Sequence, residues 1–173
     1  ELRMAYFDCT SAWLYPNGGE SAGWYTLFRD TARSNDSFIQ GRLSDATLSY
    51  EQRRAGTLPP FAIYEQISRP TFPPSIPDGP VQVEHLTFLG HTNNSLPSAR
   101  PGQTIEIETW WQVKSVPERP LSIMMHLVGP GDIPVVIGDG LGVSIEQWQI
   151  GDIIVQRHTL ALPVDTPAGE YVP

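Results

Sequence analysis

The clearest pattern of apolar and polar positions lies in the segment Thr104–Val113, which reads Thr-Ile-Glu-Ile-Glu-Thr-Trp-Trp-Gln-Val. Successive side chains of a strand point to opposite faces. One face therefore carries Ile105, Ile107, Thr109, Trp111 and Val113, and the other carries Thr104, Glu106, Glu108, Trp110 and Gln112. This alternation predicts an antiparallel strand with one face on a core and the other in water. Trp110 is the exception, because a large aromatic ring on a solvated face requires a partner or a cover.

Several further short strands are predicted in the second half of the chain. They cover residues 81–89, 121–128, 134–138 and 153–162, and another begins at Tyr171. Turn signals separate them, namely Pro101-Gly102, Gly129-Pro130-Gly131-Asp132, Gly138-Asp139-Gly140 and Gly151-Asp152. Short strands at this spacing are typical of an immunoglobulin-like β-sandwich. The cysteine pair of true immunoglobulin domains is missing, so the prediction concerns the architecture alone.

The first part of the chain predicts a small α+β or mainly β unit. Residues 2–15 read as extended, strands are predicted over 23–28, 46–51 and 61–66, and Asp36 is placed to N-cap a short helix that continues to about Arg42. Residues 69–80 contain five prolines, which predicts a stiff extended linker. The predicted fold is therefore mainly β, with an immunoglobulin-like β-sandwich preceded by a small α+β unit. The predicted boundaries are 1–68, 69–80 and 81–173.

Composition and charge narrow the function classes. Charged residues make up only 17% of the chain, whereas it contains 17 Pro and 15 Gly, which favours short strands and turns. A formal net charge of -8 disfavours binding to nucleic acid or to an anionic membrane surface. Cys9 is the single cysteine, so no internal disulfide is expected, and no apolar run is long enough for a spanning helix. No catalytic, metal or cofactor motif stands out, and we expect no cofactor.

A set of motifs in residues 81–171 resembles one known kind of domain. The motifs are Pro101-Gly102, Trp111-Gln112, His126-Leu127, Asp139, Trp148 before Gly151-Asp152, and Leu162-Pro163 followed by Pro167-Ala168-Gly169-Glu170-Tyr171. In this pattern the second half resembles the C-terminal extracytoplasmic β-sandwich domain of bacterial dolichyl-phosphate-mannose-type membrane glycosyltransferases and related uncharacterised membrane proteins. The first half is more loosely similar to the segment that often precedes this domain.

The resemblance implies an extracytoplasmic accessory domain in the bacterial cell envelope. It implies no sugar transfer by this part, since the catalytic acidic residues of such transferases lie in their membrane part, and contact with the membrane is expected only through other parts of a longer protein. Such domains continue after Gly-x-Tyr with a full final strand, whereas this chain stops at Val172-Pro173. We therefore expect a sandwich truncated at its last strand, with an open edge that could pair with a second copy.

Four residues on the polar face of the strand Thr104–Val113 form the candidate ligand site. The ring of Trp110 could stack on a sugar while Glu106, Glu108 and Gln112 bind its hydroxyl groups. The alternative is that Trp110 packs against the first unit or a cross-strand neighbour. Glu106 and Glu108 are also spaced roughly as glycosidase carboxylates are. A regular strand on an open face provides no cleft that would separate their pKa values, however, so a solvated face is the favoured interpretation.

A second candidate pair joins His126 and Asp139 of neighbouring predicted strands. Both faces of 121–128 look buried, and two residues are too few for a metal site or a catalytic triad, so a structural hydrogen bond is predicted. Three functions stay open at this point. They are a non-catalytic accessory domain that binds glycans, a structural module that contacts another envelope protein or a second copy, and a glycoside-acting enzyme using Glu106 and Glu108.

Overall fold

The computed structural model describes residues 3–20, 22–29, 33, 35–53, 56–57, 59–67, 70–71, 79–93 and 99–171. Within these residues the strands form antiparallel sheets of five, three and two strands. The predicted mainly β fold class is confirmed. The immunoglobulin-like type of the sandwich stays a prediction.

The elements follow the sequence pattern closely. In chain order they are β1 (Ala12–Tyr15), a 3₁₀-type turn (Pro16–Gly19), β2 (Gly23–Phe28), α1 (Ser37–Leu43), β3 (Thr47–Gln52), β4 (Phe61–Gln66), β5 (Val81–Val83), β6 (Leu86–Asn93), β7 (Thr104–Val113), β8 (His126–Val128), β9 (Pro134–Ile137), a 3₁₀ turn (Ile145–Gln147) and β10 (Ile153–Ala161). Strands β2, β4 and β7 have the predicted bounds. The predicted strand 81–89 is divided by a tight turn in which Glu84 has a φ of 44°.

Two predicted strands are shorter than expected. Of residues 121–128 only the last three form a strand, and Ile123 makes an isolated bridge to Gly140. Tyr171 is not in a strand. The two residues after it lie outside the described part of the chain, as do most residues of the predicted linker 69–80.

The five-stranded sheet has the order β1-β10-β7-β6-β5 and lies at the centre of the fold. Its first strand comes from the first unit, because β1 pairs antiparallel with β10, with Trp13 opposite Val155. The predicted boundary at residue 68 therefore does not separate two independent sheets. A strand as short as β1 carries too little pattern for its partner to be read from the sequence.

One face of this central sheet is covered by the segment that contains β8 and β9. The buried residues between the two layers form two apolar clusters. They are Ala12, Leu14, Leu86, Val113, Ile123, Val143, Ile145, Trp148 and Ile154 in one cluster, and Ile105, Ile107, Met125, Leu127, Leu160 and Leu162 in the other. Burying each large apolar side chain contributes about 1.5–3 kcal/mol.

The opposite face of the central sheet is covered by α1 and by the small sheet, whose order is β2-β4-β3. The buried residues here are Trp13, Tyr15, Tyr25, Phe38, Ile39, Leu43, Trp110, Ile153 and Val155. The prediction that this face of β7 is in water is wrong, because a layer built from the first part of the chain lies on it. The fold thus has three layers with the five-stranded sheet in the middle.

Two local contacts hold the first part of the chain in place. Asp36 begins α1 as predicted, since its side chain accepts hydrogen bonds from the backbone N–H groups of Phe38 (2.9 Å) and Ile39 (3.3 Å). Near the N-terminus, both terminal nitrogens of Arg3 donate hydrogen bonds to the buried carboxylate of Asp152, at 2.7 and 2.6 Å. This bidentate pair anchors the irregular segment before β1 to the turn before β10.

Candidate functional site

The outer face of the small sheet carries large aromatic side chains that are open to solvent. Trp24, Phe28 and Tyr50 are 56%, 53% and 50% exposed. Their neighbours along β2 alternate, because Tyr25 points inward to the core while Trp24 points outward. Exposed aromatic residues that share one face of a sheet form a contiguous apolar surface, which is typical of a binding site. We call this surface, formed by Trp24, Phe28, Tyr50, Phe61 and Ile63, the aromatic face.

At one end of the aromatic face three rings from three strands are in contact. Phe61 of the central strand lies between the other two, with ring centroids 6.5 Å from Phe28 and 5.8 Å from Tyr50. The ring plane of Phe61 is inclined by 67° to that of Phe28 and by 39° to that of Tyr50. The edge-to-face contact of Phe28 with Phe61 and the tilted contact of Tyr50 with Phe61 hold the rings in place before any ligand binds.

At the other end of the aromatic face polar groups surround Trp24. Glu65 of β4 lies directly opposite Trp24 of β2 and directly opposite Thr47 of β3. Directly opposed side chains of an antiparallel pair have Cβ atoms about 4.5–5.5 Å apart. Thr26 follows on the same face, opposite Ile63. An apolar ring, a carboxylate and two hydroxyl groups therefore share a small area.

Sequence reasoning predicted the strand Gly23–Phe28 and its aromatic content but not this site. The signal was present, because Trp24, Thr26 and Phe28 alternate with Tyr25 and Leu27. A strand that is apolar on both faces does not show which face is covered. Only the placement of α1 and the central sheet against Tyr25 and Leu27 leaves the other face open.

Trp110 does not form a surface platform. It is 2% exposed, and its ring stacks on Tyr15 with centroids 6.1 Å apart and an interplanar angle of 12°. The guanidinium of Arg42 covers it at 4.8 Å from the ring. The predicted use of Trp110 as an open stacking ring is therefore wrong, because residues of the first part of the chain occupy that position. The alternative interpretation, packing against the first unit, describes what is observed.

Glu106 and Glu108 are bound by arginines instead of facing a ligand. Arg42 of α1 forms an ion pair with Glu108 of β7, which also accepts a hydrogen bond from Thr92 at 3.0 Å. In the opposite direction, Arg157 of β10 pairs with Glu106 and with the N-cap carboxylate Asp36, the latter at 2.8 Å.

These crossed ion pairs join the helix to the sheet. The ring of Phe38 lies between the two guanidinium groups, 5.0 Å from that of Arg42 and 5.7 Å from that of Arg157. Burial by itself would lower the pKa of Arg157, but its hydrogen bonds to Asp36 and Glu106 raise it. The expectation of solvated carboxylates at 106 and 108 is wrong, and the arrangement leaves no open pair of carboxylates for acid–base catalysis on a sugar.

Gln112, the fourth predicted ligand residue, is half-buried and accepts a hydrogen bond from Lys114 at 2.7 Å.

His126 and Asp139 lie together, as the predicted pair requires. Nε2 of His126 is 3.2 Å from Oδ1 of Asp139, and that same oxygen accepts a hydrogen bond from the backbone of Met125 at 2.9 Å. Both side chains of the pair are about one third exposed, at 32% and 33%. The expectation that both faces of this strand are buried is wrong, because β8 belongs to a two-stranded hairpin on the surface. The contact holds the two ends of this hairpin together.

A buried polar chain that the sequence did not reveal runs through the central sheet. The indole nitrogen of Trp111 donates to Oγ1 of Thr109 at 2.8 Å, and Thr109 lies 2.8 Å from Nε2 of His158. Nδ1 of His158 is 2.7 Å from the carbonyl oxygen of Gly138. Because a carbonyl only accepts, Nδ1 carries the hydrogen and Nε2 accepts from Thr109. Burial lowers the pKa of His158, although its bond to Gly138 acts in the opposite direction.

A small cavity opens between the small sheet and α1. Its volume is about 130 Å³, and it is lined by Leu27, Phe28, Arg29, Arg33, Ile39, Gln40, Leu43 and Tyr64. Arg29 forms an ion pair with Glu51 and donates a hydrogen bond to the hydroxyl oxygen of Tyr64 at 2.9 Å.

The Cys9 thiol is half-buried, and burial raises its pKa, so it is a weak nucleophile at neutral pH.

The described residues contain neither a cluster of metal-ligating side chains nor a helix suited to span a membrane. No group of three or more His, Cys, Asp or Glu side chains in the described ranges is placed to hold a metal ion. None of the helices among those residues has the length and apolar character that a membrane crossing requires.

Comparison of the chain with protein-family models, with curated proteins and with solved structures gave no match. The resemblance to the glycosyltransferase accessory domain therefore stays a prediction.

Proposed function

We propose that this chain is a non-catalytic carbohydrate-binding module whose ligand lies on the aromatic face of the small sheet. The observation that carries the proposal is the exposure of Trp24, Phe28 and Tyr50 on one face of three paired strands. The wider role, an extracytoplasmic accessory domain of a bacterial cell-envelope protein, rests on the sequence resemblance. In that role the module positions envelope glycans beside a membrane enzyme.

The mixture of groups on the aromatic face favours a sugar over other ligands. A sugar ring has apolar C–H faces that stack on aromatic rings and hydroxyl groups that bond to polar side chains. Here the rings alternate with Thr26, Thr47 and Glu65. No Lys or Arg of β2, β3 or β4 lies on this face, which disfavours nucleic acid and anionic lipid as ligands.

The site is also rigid, which favours binding. Its side chains are carried by regular strands, and each of β2 and β3 is paired with β4. Behind them Tyr25 donates its hydroxyl hydrogen to the carbonyl of Leu14 at 3.0 Å, which ties the small sheet to β1. Side chains on rigid elements lose little conformational freedom when a ligand binds.

Trp24 provides a direct test. The other tryptophans, Trp13, Trp110, Trp111 and Trp148, are buried or half-buried, so ligand contact at the aromatic face should change the fluorescence of Trp24. We would titrate the chain with neutral, amino and acidic oligosaccharides and follow the emission. The proposal expects a saturable change for at least one sugar class, with binding that is lost in Trp24→Ala and weakened in Tyr50→Ala when measured by calorimetry.

The matched control is Tyr6→Ala, which removes an even more exposed aromatic ring outside the small sheet. It should bind as the unmodified chain does. Binding that survives Trp24→Ala and Tyr50→Ala together, or no binding to any sugar of the panel, would contradict the proposal.

A second candidate function is a structural module that pairs with another envelope protein or with a second copy. The observation that favours it is strand β5, which ends the central sheet and has all three residues exposed, with Val81 and Val83 at the sheet edge. An open strand edge can add a strand from another chain. Sedimentation at increasing concentration, with Gln82→Pro as the variant that blocks edge pairing, separates this function from sugar binding.

A further inference from the structure

We infer that the Trp24 end of the aromatic face is a subsite for the ammonium group of an amino sugar, an inference that rests on the proposed function. Glu65 supplies the negative charge, Trp24 supplies the stacking ring, and Thr47 and Thr26 supply hydroxyl groups. The ligand class is a glycan with free amino groups, rather than a neutral or an acidic one.

The position of Glu65 is the first step in the argument. It lies on the central strand of the small sheet with Trp24 opposite it on one side and Thr47 opposite it on the other. A group seated against the carboxylate is therefore within reach of the indole ring. An ammonium group gains from both, because a carboxylate accepts its hydrogen bonds and an aromatic face attracts a cation.

The second step is that, among the residues that the structure describes, no cation compensates the charge of Glu65. Its half-buried side chain makes no hydrogen bond or ion pair with any other described residue. The other glutamates near the small sheet and α1 differ, because each has an arginine partner. Glu51 pairs with Arg29, Glu106 with Arg157 and Glu108 with Arg42. A carboxylate that is partly withdrawn from water and has no cation gains more from a bound ammonium group than a fully solvated one does.

The third step is the sign of the charge on the whole face. Among the described residues of β2, β3 and β4 that point outward, Glu65 is the charged one. Arg53 follows the far end of β3, next to Gln52, which pairs with Phe61. Within the described residues an acidic sugar would meet Glu65 without a cation beside it, and the chain as a whole carries a net charge of -8. The face therefore selects against uronic acids and for amines.

The test compares three matched oligosaccharides of equal length, namely glucosamine, N-acetylglucosamine and galacturonic acid oligomers. Calorimetry on the intact chain should give glucosamine oligomers an affinity on the order of tenfold higher than the acetylated ones, with galacturonic acid oligomers the weakest. The preference should shrink as salt is added, because the charges are partly exposed. It should also shrink as the pH rises and the sugar amine loses its proton.

The decisive variant is Glu65→Gln, which keeps the shape and removes the charge. It should bring the glucosamine and N-acetylglucosamine affinities to within about twofold of each other. Glu170→Gln, an equal change of charge at an exposed position outside the small sheet, should leave the preference as it was. Circular dichroism would establish that both variants are folded.

Two kinds of failure can be told apart. Sugar binding at the aromatic face with equal affinity for amino and acetylated oligomers, or a preference that survives Glu65→Gln, would overturn this inference and leave the proposed function intact. The absence of binding to all three oligomers would overturn this inference, and the absence of binding to every sugar of the fluorescence panel would overturn the proposed function as well.

Discussion

Thr109 donates its hydroxyl hydrogen to Nε2 of His158 in the interior of the central sheet, over 2.8 Å. The bond exists only while the imidazole is neutral, because a protonated ring would carry hydrogens on both nitrogens and could no longer accept. These contacts hold the buried side chain of His158 in one tautomer.

The first prediction concerns pH. Burial lowers the pKa of His158 below its ordinary value of 6.5, so the unfolded chain takes up a proton before the folded one as the pH falls. The stability linked to His158 is therefore complete above that value and is lost towards lower pH. As the pH falls from about 6.5 to about 5.5 we expect a loss of up to roughly 1.4 kcal/mol per pH unit, which urea unfolding at several pH values would measure.

The control for this prediction is a second histidine. His158→Gln should remove the slope in that pH window, whereas the same change at the partly exposed His126 should keep most of it. An identical slope in the His158 variant and the unmodified chain would contradict the assignment.

The second prediction concerns the buried ion pair of Arg42 and Glu108. Glu108→Ala leaves a guanidinium in the layer between α1 and β7 without its carboxylate, and we expect a loss of about 3–5 kcal/mol in the free energy of unfolding. Adding Arg42→Met should restore part of this loss, because the uncompensated charge is then removed. Arg53→Ala serves as the surface control, since Arg53 is 92% exposed and lies 3.9 Å from Glu51, and it should change stability by less than about 0.5 kcal/mol.

The third prediction contrasts two tryptophans. Trp110→Ala should cost about 3–5 kcal/mol, because its ring is enclosed by Tyr15 and Arg42. Trp24→Ala should change stability by less than about 0.5 kcal/mol, because more than half of its side chain is exposed to solvent. Thermal unfolding of the two variants, together with acrylamide quenching of Trp24, would test the assignment. A stable Trp110→Ala variant with altered sugar binding would instead favour the site predicted from the sequence.

The fourth prediction uses two glycines whose replacement by alanine should act in opposite directions. A Cβ at Gly142 would lie 2.5 Å from Cβ of Ala12 and 3.0 Å from its backbone nitrogen, so Gly142→Ala should destabilise by about 1–3 kcal/mol. Gly41 is inside α1, and a Cβ there meets nothing within 4 Å. Gly41→Ala should therefore stabilise the chain by about 0.5–1 kcal/mol. Equal effects in chemical unfolding would show that β1 does not pack closely against residue 142.

Local pattern alone predicted much of the fold. The alternation in Thr104–Val113, the aromatic strand Gly23–Phe28 and the N-cap at Asp36 lie where the sequence places them, because strand periodicity and helix capping depend on residues close together in the chain. The mainly β class follows from the same local signals.

The location of the candidate site could not be predicted from the sequence, because it depends on contacts between distant parts of the chain. By sequence alone, Glu106, Glu108 and Trp110 are predicted to face solvent. In the structure this face is covered by α1, whose Arg42 is 66 residues from Glu108 in the sequence. The side of β2 that stays in solvent is likewise decided by which side the core occupies. Sequence periodicity separates the two faces of a strand, but only the packing of the layers determines which of those faces is buried and which is left to bind a ligand.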